Sequence, residues 1–362
     1  MDRRSSISDP MLYETLKGIP KVELHRHLEG SLRLTTLAEI ARQCRMDLPG
    51  YEVEDIRSLV QMTVEDEANP GAYLSKFGAL RGFFQSPEII DRLVYEAVAD
   101  AAADGIVYFE LRFTPMALAR AKSFPLADVT DWAIAAAERG SRDFGIEVRL
   151  IVSMNRHESV ELGHEVARIA IERMDRGIVG LDLAGAENKY LGEEFAPIFS
   201  MAREAGLGVT IHAGEWAGPE SIVLAVERLG ALRLGHGVRV IEDAGVLQMT
   251  RERGIVYEVC PTSNVQSGVS RSYEQHPLRI MYRTGLLTTL NTDNSSVSGV
   301  TLSQEMLRAI EYQGFTLGDL KQQILTAARA AFLPPADRNR LVSHLSAALD
   351  IDPTKSTAHP YL

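Results

Sequence analysis

Residues 178–212 read IVGLDLAGAENKYLGEEFAPIFSMAREAGLGVTIH. An apolar run (178–183) is followed by a stretch with helical apolar spacing (195–205), a glycine at 206 and a second apolar run (208–211). This is the signature of a strand, a crossover helix and a second, parallel strand. Glycine is the usual residue just past a helix end, so Gly206 marks where the helix stops. The same unit recurs along the chain in both directions.

Eight short runs rich in β-branched and aromatic residues are present: 21–24, 106–113, 146–154, 178–183, 208–211, 233–235, 255–259 and 286–290. Their starts are 85, 40, 32, 30, 25, 22 and 31 residues apart. All but the first gap fit one helix and its loops. Helices are expected over 127–144, 160–176, 195–205 and 221–229, and Gly230 and Gly254 stand at further helix ends. Eight alternating strand–helix units predict an α/β fold, a (β/α)₈ barrel, with an open doubly wound sheet as the alternative.

The 85-residue gap is too long for one crossover. Thr36 and Glu39 suggest a capping box opening a helix over 36–45. Further helices are expected over 72–84 and 88–103. Residues 28–105 therefore read as a helical insertion lying like a lid over the end of the first strand. Tyr73, Leu74 and Phe77 within it read as helix core, with a wall of a substrate pocket as their other possible role. Thr301 and Gln304 offer a second capping box, helices continue to about 350, and 353–362 reads as a tail. The whole chain, 1–362, reads as one barrel domain.

Composition excludes several classes. The chain has 362 residues, 45 % hydrophobic and 24 % charged, which is ordinary for a globular protein. A net charge of −11 argues against a nucleic-acid backbone as partner. Two cysteines exclude a disulfide framework and suit a reducing cytoplasm. No signal peptide and no membrane span are expected.

The chemistry-bearing residues stand at strand ends. His25 and His27 end the first strand, and i, i+2 spacing puts both side chains on one face. His212 ends the fifth strand and Asp293 follows the eighth. Strands one and eight become neighbours when a barrel closes. Three histidines and one carboxylate at the active face form a nitrogen–oxygen set suited to zinc with room for water. His236 sits between Gly235 and Gly237, placed either to approach a ligand or as a plain loop histidine. Glu215 is either a general acid beside the metal or a solvated carboxylate opening a helix. Gly185 is either a turn or a point where a substrate meets bare backbone N–H. No lysine ends strand four, so a bridged two-metal site is not expected. Cys260 reads as a buried strand residue. Walker, GxGxxG, HExxH, GxSxG and HxE…PCxxC motifs are absent.

PKVELHRHLEGS (20–31), LDLAGAE (181–187), HAGE (212–215), GHG (235–237), EVCPTSN (258–264) and NTD (291–293) together resemble the adenosine deaminase family of the amidohydrolase superfamily. The resemblance runs in order from about residue 20 to 315 and implies the barrel fold. It implies one zinc ion held by His25, His27, His212 and Asp293. It implies a water oriented by His236 and Asp293, attacking C6 of a purine whose N1 is protonated by Glu215. The Gly185 N–H would meet purine N3, and Asn294 would meet N7 where the family often has Asp. Glu29, with His27 before it on the substrate side, would meet the sugar; animal members have Asp there, and Glu occurs in bacterial ones. The implied reaction turns adenosine or 2′-deoxyadenosine into the 6-oxo nucleoside and ammonia, with adenine and aminodeoxyfutalosine as alternative substrates. Another metal-dependent amidohydrolase, or a non-catalytic barrel, is the reading from other classes.

Overall fold

The parallel strands β1 (Lys21–His27), β2 (Ile106–Phe113), β3 (Glu147–Asn155), β4 (Ile178–Ala184), β5 (Gly208–Ala213), β6 (Arg233–His236), β7 (Val256–Val259) and β8 (Leu287–Leu290) pair in chain order. The structure, a computed structural model, describes residues 9–352. The expected tail (353–362) and the first eight residues lie outside the described ones. All eight expected strands are present, several reaching one to three residues further at their carboxyl ends. That extension matters: His25, His27, His212, Ala213 and His236 belong to the strands themselves.

The sheet closes at an informative place. Between β8 and β1 the contact is a single bridge, Arg26 with Asp293. His27 N–H donates to the Asp293 carbonyl at 2.7 Å, and Asp293 N–H donates to the His25 carbonyl at 3.0 Å. The Asn291 side-chain oxygen accepts from the N–H groups of Leu24 and His25 at 3.0 and 3.1 Å. The last seam of the barrel is thus sewn through expected site residues.

Helices surround the barrel: α1 (Pro10–Gly18), α2 (Leu34–Gln43), α3 (Val53–Val60), α4 (Pro70–Leu80) and α5 (Pro87–Ala103) precede β2 or lie between β1 and β2. A 3₁₀ turn, Arg81–Phe83, extends α4. The later helices that bear on the site are α6 (Pro261–Gln266), directly after β7, α7 (Leu278–Arg283), before β8, and α8 (Leu302–Gln313), after β8. The expected cap at Thr301 is present: its side chain accepts from Gln304 N–H, and Gln304 reaches back to the Thr301 N–H. The expected cap at Thr36 is not. The helix opens earlier, at Leu34, with Arg33 before it and no side-chain cap. Thr36 instead donates its hydroxyl to Glu96 on α5 at 2.7 Å. A tertiary partner has taken the hydroxyl that the local pattern assigned to a cap.

The core is one continuous apolar cluster that includes the strands and the helices facing them. Charged residues interrupt the strand interiors at Glu23, Glu110, Arg112, Asp182, Arg233 and Glu258, all essentially without solvent exposure. Buried charges persist only when paired and hydrogen-bonded. Here they are paired: Arg233 meets Glu110 at 2.6 Å and Glu258 at 2.7 Å, Arg112 meets Glu258 at 2.7 Å and Asp182 at 3.5 Å, and Glu23 pairs with Arg26.

Candidate active site

A cleft opens at the carboxyl ends of the strands, where barrel enzymes place their sites. His27, Glu29, Gly185, His212, Glu215, His236, Asp293 and Asn294 all line it. Every expected site residue except His25 faces the cleft, and His25 lies directly beneath it, fully buried.

The imidazoles converge. Ring centroids of His25 and His212 are 4.7 Å apart, those of His25 and His27 5.2 Å. Each inner ring is oriented from behind by a carboxylate: Glu258 Oε2 lies 2.9 Å from His25 Nδ1, and Asp182 Oδ1 lies 2.9 Å from His212 Nδ1. Burial alone would raise both carboxyls. For Glu258 the guanidiniums of Arg112 and Arg233 outweigh burial, and for Asp182 His212 and Arg112 do so; both stay ionised, well below the usual range. An ionised carboxylate only accepts, so each Nδ1 carries the proton and each Nε2 presents a lone pair.

The His25 lone pair has no hydrogen to share. His25 Nε2 is buried and lacks any hydrogen-bond partner. It lies 3.2 Å from Asp293 Oδ1, and His27 Nε2 lies 3.4 Å from the same oxygen. His27 Nε2 and His212 Nε2 face each other at 3.2 Å. Nitrogen lone pairs and a carboxylate oxygen crowded this closely repel unless a cation sits among them. The expected set of His25, His27, His212 and Asp293 therefore fits a metal, and the carboxylate–histidine pairs behind it are the usual support of such a centre. Two overlapping groups have ligand atoms within 4.8 Å of one another: His25, His212, His236 and Asp293, and His27, Asp182 and His212.

Asp293 divides its two oxygens. Oδ1 faces the histidines, while Oδ2 accepts the Ser263 hydroxyl at 2.6 Å and lies 4.0 Å from His236 Nε2. His236 and Asp293 both adopt positive φ (62° each), a strained conformation for side chains other than glycine. Gly235 is required beside them: a Cβ there would lie 2.8 Å from the His25 ring.

Glu215 lies with Oε2 3.7 Å from His236 Nε2. Burial, with the charges of Asp293 and Glu187 close by, pushes its carboxyl well above the usual range, which favours its protonated form. Its backbone is pinned by Glu187, whose carboxylate accepts from the N–H groups of Gly214, Glu215, Trp216 and Ala217 at 2.6–3.1 Å. This places Glu215 in a fixed loop and not on a free helix end.

On the opposite wall, Glu29 Oε1 accepts the Thr114 N–H at 2.6 Å and its Oε2 is unpaired. Asn294 donates from Nδ2 to the Tyr73 hydroxyl at 3.2 Å. Its carbonyl oxygen packs over Gly30, where a Cβ would lie 2.0 Å away, leaving the second Nδ2 hydrogen as the amide's spare donor. Gly185 has φ 96°, which favours glycine. Tyr73 is buried and Phe77 packs on the core, as expected, yet both line the cleft together with Leu74 and Arg81. Cys260 is fully buried, one residue past β7.

The quoted motifs contain Asp182, Glu187, Glu258, Ser263 and Asn264, but the sequence reading gave them no role. A signal existed for Asp182 and Glu258: each is a lone acid inside an apolar strand run, and such an acid needs a buried partner.

The adenosine deaminase family model matches residues 20–348. An adenosine deaminase of Serratia proteamaculans is 38 % identical over 323 residues, covering 89 % of this chain and 97 % of that protein. An adenine deaminase structure from Arthrobacter aurescens superposes with TM-score 0.84 at 25 % identity, covering 92 % of this chain and 99 % of its own. A zinc-bound amidohydrolase structure from Burkholderia ambifaria gives TM-score 0.85 at 26 % identity, covering 96 % and 95 %.

Proposed function

The chain belongs to the adenosine deaminase family, and from that membership we infer that it hydrolyses adenosine and 2′-deoxyadenosine to inosine and 2′-deoxyinosine, releasing ammonia. The observation that carries the reading is a buried carboxyl, Glu215, whose surroundings favour its protonated form, fixed beside a cation-seeking cluster. His25, His27, His212 and Asp293 would hold one zinc ion, supported by the zinc in the Burkholderia ambifaria neighbour. A metal there supplies a water that is acidic enough to attack at neutral pH.

The remaining steps are assigned to the chain's own groups. Glu215 delivers its proton to purine N1, so the ring accepts the attack at C6 without building negative charge on nitrogen. Asp293 Oδ2 and His236 orient the water. The Gly185 N–H meets N3 and the spare Asn294 hydrogen meets N7. Glu29 Oε2, unpaired in the cleft, accepts from a sugar hydroxyl, and Leu74 and Phe77 wall that side. His27 borders both metal and substrate.

Adenine is the second reading, since a structural neighbour is an adenine deaminase and Glu29 is longer than the Asp of animal relatives. The two free thiols support a cytoplasmic setting, and among the described residues no helix is long and apolar enough to cross a membrane.

The test is kcat/KM on metal-replete protein for adenosine, 2′-deoxyadenosine, adenine and aminodeoxyfutalosine. The nucleosides are expected to lead. A preference for adenine by more than tenfold would replace the first reading with the second, and no turnover of any of the four would end both.

A further inference from the structure

Behind His236 runs a hydrogen-bond chain that the proposed reaction does not use. It begins at a fixed donor. The Leu278 backbone N–H, first residue of α7, donates to His276 Nδ1 at 3.1 Å. A backbone N–H has only one role, so His276 Nδ1 must be the acceptor and its proton must sit on Nε2. His276 Nε2 lies 3.0 Å from Asn264 Oδ1, an atom that only accepts. Asn264, on α6, then turns its amide nitrogen to His236 Nδ1 at 3.0 Å. An amide NH₂ only donates, so His236 Nδ1 is an acceptor and the His236 proton sits on Nε2. Each hydrogen bond fixes the direction of the next. His276 and Asn264 are buried, 3 % and 0 % exposed. Burial also keeps His276 neutral, down to about 3, which a one-way chain requires.

The far side of His236 agrees independently. Its Nε2 points between Glu215 Oε2 at 3.7 Å and Asp293 Oδ2 at 4.0 Å. A lone pair there would face an ionised carboxylate, whereas an N–H is attracted to it.

We propose that Asn264 and His276 are positioning residues that lock His236 as the neutral Nε2–H tautomer, so that it meets the attacking water as a hydrogen-bond donor. His236 then arrives at the reaction already protonated on the nitrogen that faces the cleft. This rests on the proposed role of His236 in deamination, but the tautomer itself can be read without turnover.

Long-range ¹H–¹⁵N correlation spectra of the full-length, zinc-loaded enzyme carrying ¹⁵N-histidine report which ring nitrogen holds each proton. His236→Gln and His276→Gln spectra assign the two rings. Both are expected to show protonated Nε2 and bare Nδ1. A proton on His236 Nδ1 overturns the proposal. Asn264→Asp replaces the donor by an acceptor of the same shape, so His236 should move its proton to Nδ1. That variant should lose about 10²- to 10⁴-fold in kcat, the scale of a wrong-tautomer histidine, with zinc content and KM near wild type. Unchanged kcat, or loss only through KM, counts against it.

If Asn264→Asp does not fold, His276 decides. His276→Gln can accept from Leu278 and donate to Asn264, and should keep kcat within about threefold, whereas His276→Leu should lose more than about tenfold. Equal loss in both assigns His276 a packing role only. Should none of the four purines turn over while the spectra show Nε2–H, the deaminase reading fails and the relay stands.

Discussion

Under the proposed function, Glu215 is the residue on which the chemistry turns. A carboxyl that stays protonated at neutral pH is a proton donor with a cost, since it must be buried away from water and near other negative groups. Both conditions hold, and Glu187 fixes the loop that carries it. Glu215→Gln keeps the volume and the donor N–H but cannot pass a proton. It should retain bound metal, measured by elemental analysis, and lose about 10²- to 10⁴-fold in kcat. Wild-type kcat in that variant would remove Glu215 from the mechanism. The histidines of the proposed metal set were legible because HxH and HAGE lie at strand ends. Asp182 and Glu258 lie inside quoted motifs but were given no role there, because a residue that acts through another shows its partner only in the fold. Asn264 and His276 are the same case: 12 residues separate them, and only the fold places both behind His236.

At the scale of elements, local pattern and tertiary contact compete. Thr301 caps its helix as its sequence predicts, while Thr36 gives its hydroxyl to Glu96. The difference is where the helix opens: it starts at Leu34, so Thr36 lies inside the first turn, its hydroxyl donating to the Glu96 carboxylate of α5 and accepting from Arg92. Helix α4 also does two things at once. Tyr73 and Phe77 serve the core and line the cleft, a pair of roles that helical periodicity reads as one. Under the proposed function α4 walls the sugar side. Phe77→Ala should lower kcat/KM for adenosine roughly tenfold, from lost apolar contact, and leave adenine nearly unchanged. An unaltered adenosine-to-adenine ratio would take α4 out of nucleoside recognition.

For the whole molecule, closure of the barrel and assembly of the site are one event. The β8–β1 seam is bonded through His25, His27 and Asp293, so the ligand set forms only when the sheet closes. A second long-range tie is Glu305 on α8, which accepts the Thr262 N–H beside β7 at 3.0 Å. Burial pushes its carboxyl up to about 7. Its folded pKa lies above its unfolded one, so the folded state holds the proton longer, and stability falls as pH rises through that window. Glu305→Gln keeps the acceptor without the charge. Its Tm relative to wild type should therefore rise between about pH 5 and about pH 8, measured by calorimetry; a constant difference would refute the assignment. The sequence by itself determined the alternation of strands and helices, hence the barrel, and the residues at the strand ends, because both follow from local periodicity and from side-chain types that metals and proton transfer demand. The tertiary structure alone decided which carboxylates orient those histidines, where Glu215 finds its burial, and which way the protons point. Those depend on distances between residues far apart in the chain, and on dielectric surroundings that exist only after the barrel has closed.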